Sequence, residues 1–251
     1  MSCIFHIPHA SKIIPEKYLE YFVLSSEKLD EELLKMTDHF TDELFDVNTV
    51  QKQTIKFPVS RLLVDPERFE SDEDEVMSSV GMGCIYEKTH KGEILKQASK
   101  IRDELISRYY RPHHEKLTNL VYECIQSDTK CLIIDCHSFP KRPLPYELHQ
   151  EVERSEICIG TDHFHTPNKL TDALVDGFEN QGFSVSVNKP FSGSIVPMQF
   201  YQRDKRVQTV MIEIRRDLYM NEESGEKLVG FDAVKSKVSN VIGNLAQYDY
   251  L

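Results

Sequence analysis

The sequence predicts an α/β fold, a three-layer sandwich around a mixed, mostly parallel central sheet. Strand patterns alternate with helix patterns along the whole chain, which is typical of layered α/β proteins. The run Cys131-Leu132-Ile133-Ile134 is continuously apolar, as expected for a strand buried on both faces of a parallel sheet. No repeat or low-complexity linker divides the chain, so we expect residues 1–251 to form one domain.

The elements follow from local periodicity. Apolar residues at steps of three and four predict a helix over 26–45, with Leu29, Leu33, Met36, Phe40 and Leu44 on one face. Further helices are predicted over 92–127, where Pro112 should kink or split the helix, over 170–180 and over about 232–247. The predicted strands are residues 3–7, 62–64, 130–135, 157–160, 183–187 and 208–214.

Composition excludes several classes of partner. The net charge is -11, and no basic stripe is present of the kind that nucleic-acid phosphates require. No apolar run approaches the ~18 residues that a membrane span needs. The six cysteines are scattered and form no CxxC pair, and no secretory signal precedes them, so we expect a cytoplasmic protein. No prediction of oligomeric state follows.

Residues capable of metal chemistry stand at the ends of three predicted strands. His9 follows the first, His137 ends a central one, and Glu213 lies near the end of the last long one. In open α/β sheets, chemistry sits beyond the carboxyl ends of the strands. Two histidines and a carboxylate are the parts of a catalytic zinc site, with a nearby glutamate free to move protons. Asp135 and His137 share one strand face, so Asp135 is either a ligand or an acceptor that orients an imidazole.

Other chemistries fit some of these residues. Two histidines and one carboxylate also form the facial triad of non-haem iron oxygenases, although the strand–helix alternation is unlike the barrels that usually carry it. Cys136 and His137 could suggest a thiol hydrolase, but adjacent strand residues point to opposite faces. A non-catalytic binding domain on the same fold is the third alternative.

Seven segments in order resemble the N-formylglutamate amidohydrolase family. They begin with Pro8-His9-Ala10, Thr41-Asp42-Glu43-Leu44-Phe45 and Ser60-Arg61-Leu62-Leu63-Val64-Asp65-Pro66-Glu67-Arg68. They continue with Tyr109-Tyr110-Arg111-Pro112-His113-His114, Asp135-Cys136-His137-Ser138, Ile159-Gly160-Thr161 and Ile212-Glu213 before Leu218-Tyr219-Met220-Asn221-Glu222. The resemblance implies a fold similar to zinc carboxypeptidases and aspartoacylase-like deacylases.

The resemblance also implies an activity: zinc-dependent removal of a formyl or acyl group from a small acidic N-acyl amino acid, as in histidine degradation. Carried over, His9 and His137 are metal ligands and Glu213 is the general base. The related carboxypeptidases use a glutamate three positions after the first histidine, where this chain has Lys12. Asp42 matches an acid of the family pattern, so the resemblance implies Asp42 as the third ligand, with Asp135 as the alternative.

Three arginines are candidates for binding the substrate. Arg61 and Arg68 could clamp a carboxylate or polarise the carbonyl oxygen, and Arg216 is a third candidate, because guanidinium groups match carboxylates bidentately. The chain departs from the family at Glu67, often asparagine, and over 191–198, where many members carry an arginine and this chain has none. These departures favour, as the alternative, a related metallo-deacylase or carboxypeptidase with another N-acyl amino acid or peptide substrate. His163 and His165 are possible pocket residues.

Overall fold

The computed structural model describes residues 2–47 and 52–245. Within them, six strands form one sheet in the order β2-β1-β3-β6-β4-β5. The strands are β1 (Ser2–Ile7), β2 (Lys52–Lys56), β3 (Cys131–Phe139), β4 (Ile157–Gly160), β5 (Val185–Val187) and β6 (Val207–Arg215). Strands β2, β1, β3 and β6 are parallel, and β4 joins β6 in the antiparallel direction. The expected mixed, mostly parallel sheet is confirmed.

The α-helices are α1 (Ser26–Met36), α2 (Thr41–Leu44), α3 (Arg102–Leu105), α4 (Arg111–Asp128), α5 (Asn168–Asn180) and α6 (Phe231–Leu245). Short 3-10 turns cover Glu16–Tyr21, Val76–Val80, Ala98–Lys100 and Arg216–Leu218, and a π-helical turn covers Ile106–Tyr110. The predicted 170–180 and 232–247 helices correspond to α5 and α6; Gln247 lies outside the described residues. No helix among the described residues is long and apolar enough to cross a membrane.

Helices cover both faces of the sheet. On one face, side chains of α5 and α6 pack on Phe5, Leu132, Ile134 and Ile212. On the other, α4 places Leu117, Val121 and Cys124 against Ile4, Ile133 and Val207. Because strand side chains alternate between faces, His6, Asp135, His137 and Glu213 all point to the α4 face.

Two predicted helices are interrupted. The helix expected over 26–45 stops at Met36, because Thr37 adopts an extended backbone conformation with ψ 139°. It resumes as α2 after Phe40, whose backbone is left-handed with φ 63°. The helix expected over 92–127 becomes helical only at Ala98, passes through the π turn and continues as α4, with Pro112 in its first turn. Proline is tolerated there because first-turn amides lack helical partners.

One predicted strand is wrong. Residues 62–64 form a turn, and Leu62, Leu63 and Val64 are buried in an apolar cluster beside the sheet rather than in it. Strand β2 was missed, since its sequence Lys52-Gln53-Thr54-Ile55-Lys56 buries only Ile55. An edge strand of this polarity has almost no apolar run by which periodicity could find it.

Candidate active site

Strands β1, β3 and β6 deliver the predicted residues to one end of the sheet. His9 follows β1 by two residues, and His137 and Glu213 are register partners on the neighbouring strands β3 and β6. The ring centroids of His9 and His137 are 5.1 Å apart. All three side chains are buried, and all line one cavity of about 1500 Å³.

The two histidines meet a carboxylate that the sequence analysis did not select. His9, Asp38 and His137, called here the first group, offer ligand atoms within 4.8 Å of one another. Asp38 Oδ2 is 3.6 Å from His9 Nδ1 and 3.2 Å from His137 Nδ1. Atoms at the corners of a tetrahedral zinc site, with bonds of about 2.0–2.1 Å, are about 3.3 Å apart. The spacing of the first group suits such an ion.

Asp65 holds His9 in place. Its Oδ1 is 2.8 Å from His9 Nε2, which leaves Nδ1 directed towards Asp38. Asp65 Oδ2 accepts hydrogen bonds from Arg61 (2.9 Å) and from the Tyr86 hydroxyl (2.6 Å). Burial opposes the charge of Asp65, but His9 and Arg61 hold the pKa of its carboxyl well below its usual range. An anionic acceptor behind a histidine fixes the tautomer and ring orientation needed by a metal ligand.

Asp38 is anchored from several sides. Its backbone N–H donates to the carbonyl of His9 at 3.0 Å, and the guanidinium of Arg216 donates to Oδ1 at 2.8 Å. The backbone N–H of Ser138 donates to Oδ2 at 3.2 Å. Although burial opposes ionisation, the neighbouring His137, His9 and Arg216 hold the pKa of Asp38 well below its usual range. The side chain is therefore an ionised carboxylate in a fixed orientation, which could hold a metal ion.

Glu213 has a different environment from the other acids. It is 7% exposed, and no described residue hydrogen-bonds to its Oε2. Burial raises the pKa of this carboxyl to about 8, and the negative charge of Asp38 adds to the effect. A carboxyl that exchanges protons near neutral pH is suited to general acid–base chemistry.

A second group of possible ligands lies directly behind the first. It consists of His6, Glu67 and Asp135. His6 Nδ1 is 2.8 Å from Asp135 Oδ1 and 3.2 Å from Glu67 Oε1. Glu67, one of the departures from the family pattern, thus lies beside the metal-binding candidates. Although burial opposes protonation, the neighbouring carboxylates of Asp135 and Glu67 raise the pKa of His6 to about 9.

The three candidate arginines have different surroundings. Arg61 donates to Asp65 and to Tyr86, yet its side chain still lines the cavity. Arg68 also lines the cavity, and its Nε has no hydrogen-bond partner among the described residues. Arg216 is buried and donates to Asp38, to both oxygens of Ser138 and to the carbonyl of Lys35. Arg216 therefore uses its guanidinium N–H groups for contacts within the protein, including Asp38 of the first group, rather than for binding a substrate.

Neither predicted third ligand joins His9 and His137. Asp42 lies on α2, a third exposed, and forms an ion pair with Lys56. Asp135 belongs to the second group, with Oδ1 3.0 Å from Nε2 of His137. The carboxylate that the structure groups with both histidines is that of Asp38. The sequence carried a signal for it, because Thr37-Asp38 repeats the Thr41-Asp42 dipeptide four residues earlier.

The two further candidate histidines, His165 and His163, differ in their surroundings. His165 is buried, with Nδ1 2.7 Å from the carbonyl of Val207 and Nε2 accepting from the Gln202 amide at 2.8 Å. His163 is exposed. Cys136 packs in the apolar cluster under α5 and α6, on the face opposite to His137. This position agrees with the argument against a thiol hydrolase.

The fold and the buried histidine–carboxylate cluster at the sheet edge define an α/β enzyme. The family model for N-formylglutamate amidohydrolase matches residues 1–220. The chain belongs to the N-formylglutamate amidohydrolase family, and it is a hydrolase that acts on an amide.

Solved structures share the fold. The crystal structure of N-formylglutamate amidohydrolase from Ralstonia eutropha JMP134 is similar with a TM-score of 0.85 and 22% identity, covering 99% of this chain and 94% of that one. A gene product from Agrobacterium tumefaciens has a TM-score of 0.62 and 22% identity, covering 98% and 91%. A search of curated proteins found no significant match.

Proposed function

We propose that the chain is a zinc-dependent amidohydrolase that removes a formyl or acyl group from a small acidic N-acyl amino acid such as N-formylglutamate. The observation that carries the proposal is the meeting of His9, Asp38 and His137 beside Glu213 in one cavity. Membership of the N-formylglutamate amidohydrolase family supports both hydrolysis of an amide bond and an acidic substrate. We also propose that the whole chain acts as one catalytic domain in the cytoplasm; no disulfide joins its six cysteines.

The residues of the first group fit a zinc ion. His9 Nδ1 is buried, and no hydrogen-bond partner for it exists in the described part of the chain. It faces a carboxylate whose pKa is held low, so the pair presents a lone pair and a negative charge to the same point. Nitrogen and oxygen ligands in this number are those of a hydrolytic zinc site with an open position. When bound, the ion would supply Lewis acidity to the amide carbonyl and to water.

The protein side chains carry out the rest of the chemistry. Glu213 takes a proton from the attacking water and returns it to the nitrogen of the leaving amine. Asp65 and Arg216 keep His9 and Asp38 oriented during this exchange. Arg68 binds the substrate carboxylate, because its side chain lines the cavity and its contact with Asp65 is long, with Nε 3.9 Å from Oδ2.

The central experiment is hydrolysis of N-formylglutamate by the wild type and by Glu213→Gln, with metal content measured in parallel. We expect Glu213→Gln to keep its zinc and to lose about 10²–10⁴-fold in kcat, the usual contribution of a general base. Glu179→Gln, an exposed substitution on α5, is the matched control and should behave as wild type. A Glu213→Gln enzyme with near-normal kcat would refute the role of Glu213.

A substrate panel tests the acidic specificity. For Arg68→Ala we expect KM to rise more for N-formylglutamate than for N-formyl-leucine, whereas Arg203→Ala, at an exposed position, should change neither. Equal effects on both substrates would reject the role of Arg68 in binding the substrate carboxylate.

A second candidate function is deacylation of a different N-acyl amino acid or peptide. It is favoured by the cavity wall at Ile195, Val196, Pro197 and Met198, which offers no arginine. Preference for N-acetyl or peptide substrates in the same panel would select it.

A further inference from the structure

Four ligand atoms of the second group and Nε2 of His137, five atoms in all, lie close to one another beside the first group. His6 Nδ1 is 2.8 Å from Asp135 Oδ1 and 3.2 Å from Glu67 Oε1. From the other side, His137 Nε2 is 3.0 Å from Asp135 Oδ1 and 3.6 Å from Glu67 Oε2. Two ligand atoms of a tetrahedral metal ion are about 3.3 Å apart when the metal–ligand bonds are about 2.0–2.2 Å. The four distances in this cluster lie on both sides of that value.

Hydrogen bonding within the protein leaves this cluster unsatisfied. Glu67 Oε1 and His137 Nε2 are both buried, and no residue that the structure describes gives either of them a well-formed hydrogen bond. His137 itself is only 5% exposed. Buried polar atoms without partners are uncommon in native proteins and often mark an ion or water that completes them.

The surrounding charges favour a cation. His6 Nε2 is 2.9 Å from His113 Nε2. When His6 donates its Nε2 proton to His113, the lone pair of Nδ1 points at two carboxylates, and a metal cation there would replace the proton that Nδ1 otherwise carries. A proton on Nδ1 would serve Asp135 Oδ1 but would leave Glu67 Oε1 unpaired. A divalent ion would satisfy both carboxylates and balance their charge.

We propose that His6, Glu67 and Asp135 bind a second divalent metal ion, with His137 Nε2 beside it. One imidazole and two carboxylates suit zinc or manganese better than the all-oxygen shell that magnesium and calcium prefer. An ion can reach this site because Glu67 and His137 both line the cavity, although His6 is fully buried behind them. The proposal goes beyond the proposed function and does not depend on turnover.

The test is a count of bound metal per chain. Metal-free full-length protein is titrated with Zn²⁺, and separately with Mn²⁺, by calorimetry, followed by desalting and elemental analysis. We expect two equivalents of Zn²⁺ for the wild type and one for Glu67→Gln and His6→Gln. Asp38→Asn should also keep one, because it disrupts only the first group. Circular dichroism and thermal melts establish that each variant is folded; Glu67→Gln changes little volume and keeps the measurement usable if His6→Gln unfolds.

The control for adventitious binding is His163→Gln, which removes an exposed histidine outside both groups and should keep two equivalents. Saturation of the wild type at one equivalent would overturn the proposal, as would a second equivalent that survives in Glu67→Gln or is lost in His163→Gln. The outcomes also separate the two sites. A single equivalent lost in Asp38→Asn and kept in Glu67→Gln rejects the second site and leaves the proposed function intact. The reverse pattern moves the metal to the second group and rejects the first.

Discussion

Lys96 is a buried lysine whose surroundings suit a neutral amine. It is 2% exposed, and its Nζ donates to the carbonyls of Leu62 and Tyr86. A neutral amine has two N–H donors, which these two carbonyls satisfy. Burial lowers the pKa of the Lys96 amine to about 7, from an ordinary value of 10.5. The contact matters for the site because Leu62 and Tyr86 flank Arg61 and Asp65.

This pKa predicts a pH-dependent stability. Between about pH 7 and 10.5 the unfolded chain binds the proton and the folded chain does not, so stability rises with pH across this window and is lost as pH falls towards 7. The slope for one proton is about 1.4 kcal/mol per pH unit. We measure urea unfolding of the wild type and of Lys96→Met from pH 6.5 to 10. The free energy of unfolding of the wild type should rise relative to that of Lys96→Met as the pH increases. A constant difference would mean that Lys96 is charged in the fold.

At the residue scale, sequence reasoning selected His9, His137 and Glu213, which line one cavity in the structure, because each stands at or just after the end of a strand with strong periodicity. It missed Asp38, which lies in a loop between helices where periodicity carries no information about direction. The helix predicted through this region would have placed Asp38 and Asp42 on one face, four residues apart. The extended backbone at Thr37 and the left-handed Phe40 interrupt that helix, and the two acids contact different partners, His137 and Lys56.

Among the elements, α4 ends in a strained conformation. Thr129 caps its C-terminus with φ 64°, and the residue is exposed. A left-handed backbone favours glycine over a β-branched residue, since glycine has no Cβ to clash. We therefore expect Thr129→Gly to stabilise the protein by about 1 kcal/mol in denaturant unfolding.

The control for Thr129→Gly is the same substitution in the interior of α4. Thr118→Gly should destabilise by about 0.5–1 kcal/mol, because a regular helix position gives glycine no conformational advantage. Opposite signs for the two substitutions would establish that backbone conformation, rather than loss of the threonine side chain, controls the effect. Destabilisation by both would contradict it.

The same contrast between periodic and irregular segments explains which elements were predictable. Strands β1, β3, β4 and β6 were found because buried apolar runs specify them, and α5 because its apolar stripe is uninterrupted. Residues 62–64 are as apolar as a strand but pack in a cluster that the loops form beside the sheet. The local sequence pattern predicts that such a segment is buried, but it does not predict the backbone conformation. Contacts with residues distant in the sequence determine that conformation.

At the scale of the whole molecule, an acidic chain of net charge -11 concentrates carboxylates at one end of its sheet. Five carboxylates lie in or beside the two candidate metal groups, together with three arginines: Asp38, Asp65, Glu67, Asp135 and Glu213 with Arg61, Arg68 and Arg216. Buried like charges repel one another, and a bound cation relieves that repulsion in the folded state alone. Metal binding should therefore be coupled to folding.

This coupling predicts that removing metal lowers the melting temperature. A free metal concentration of about 100 times the dissociation constant stabilises the fold by about 2.7 kcal/mol. For a chain of this length, that corresponds to a change in melting temperature on the order of 5–10 °C. Treatment with a chelator followed by calorimetric melting should show that drop in the wild type and in the exposed-site variant Glu179→Gln. The double variant Asp38→Asn with Glu67→Gln removes a ligand from each group, so its melting temperature should no longer respond to chelator. An equal drop in the double variant would mean that the stabilising ion lies elsewhere, because the coupling requires the ligands themselves.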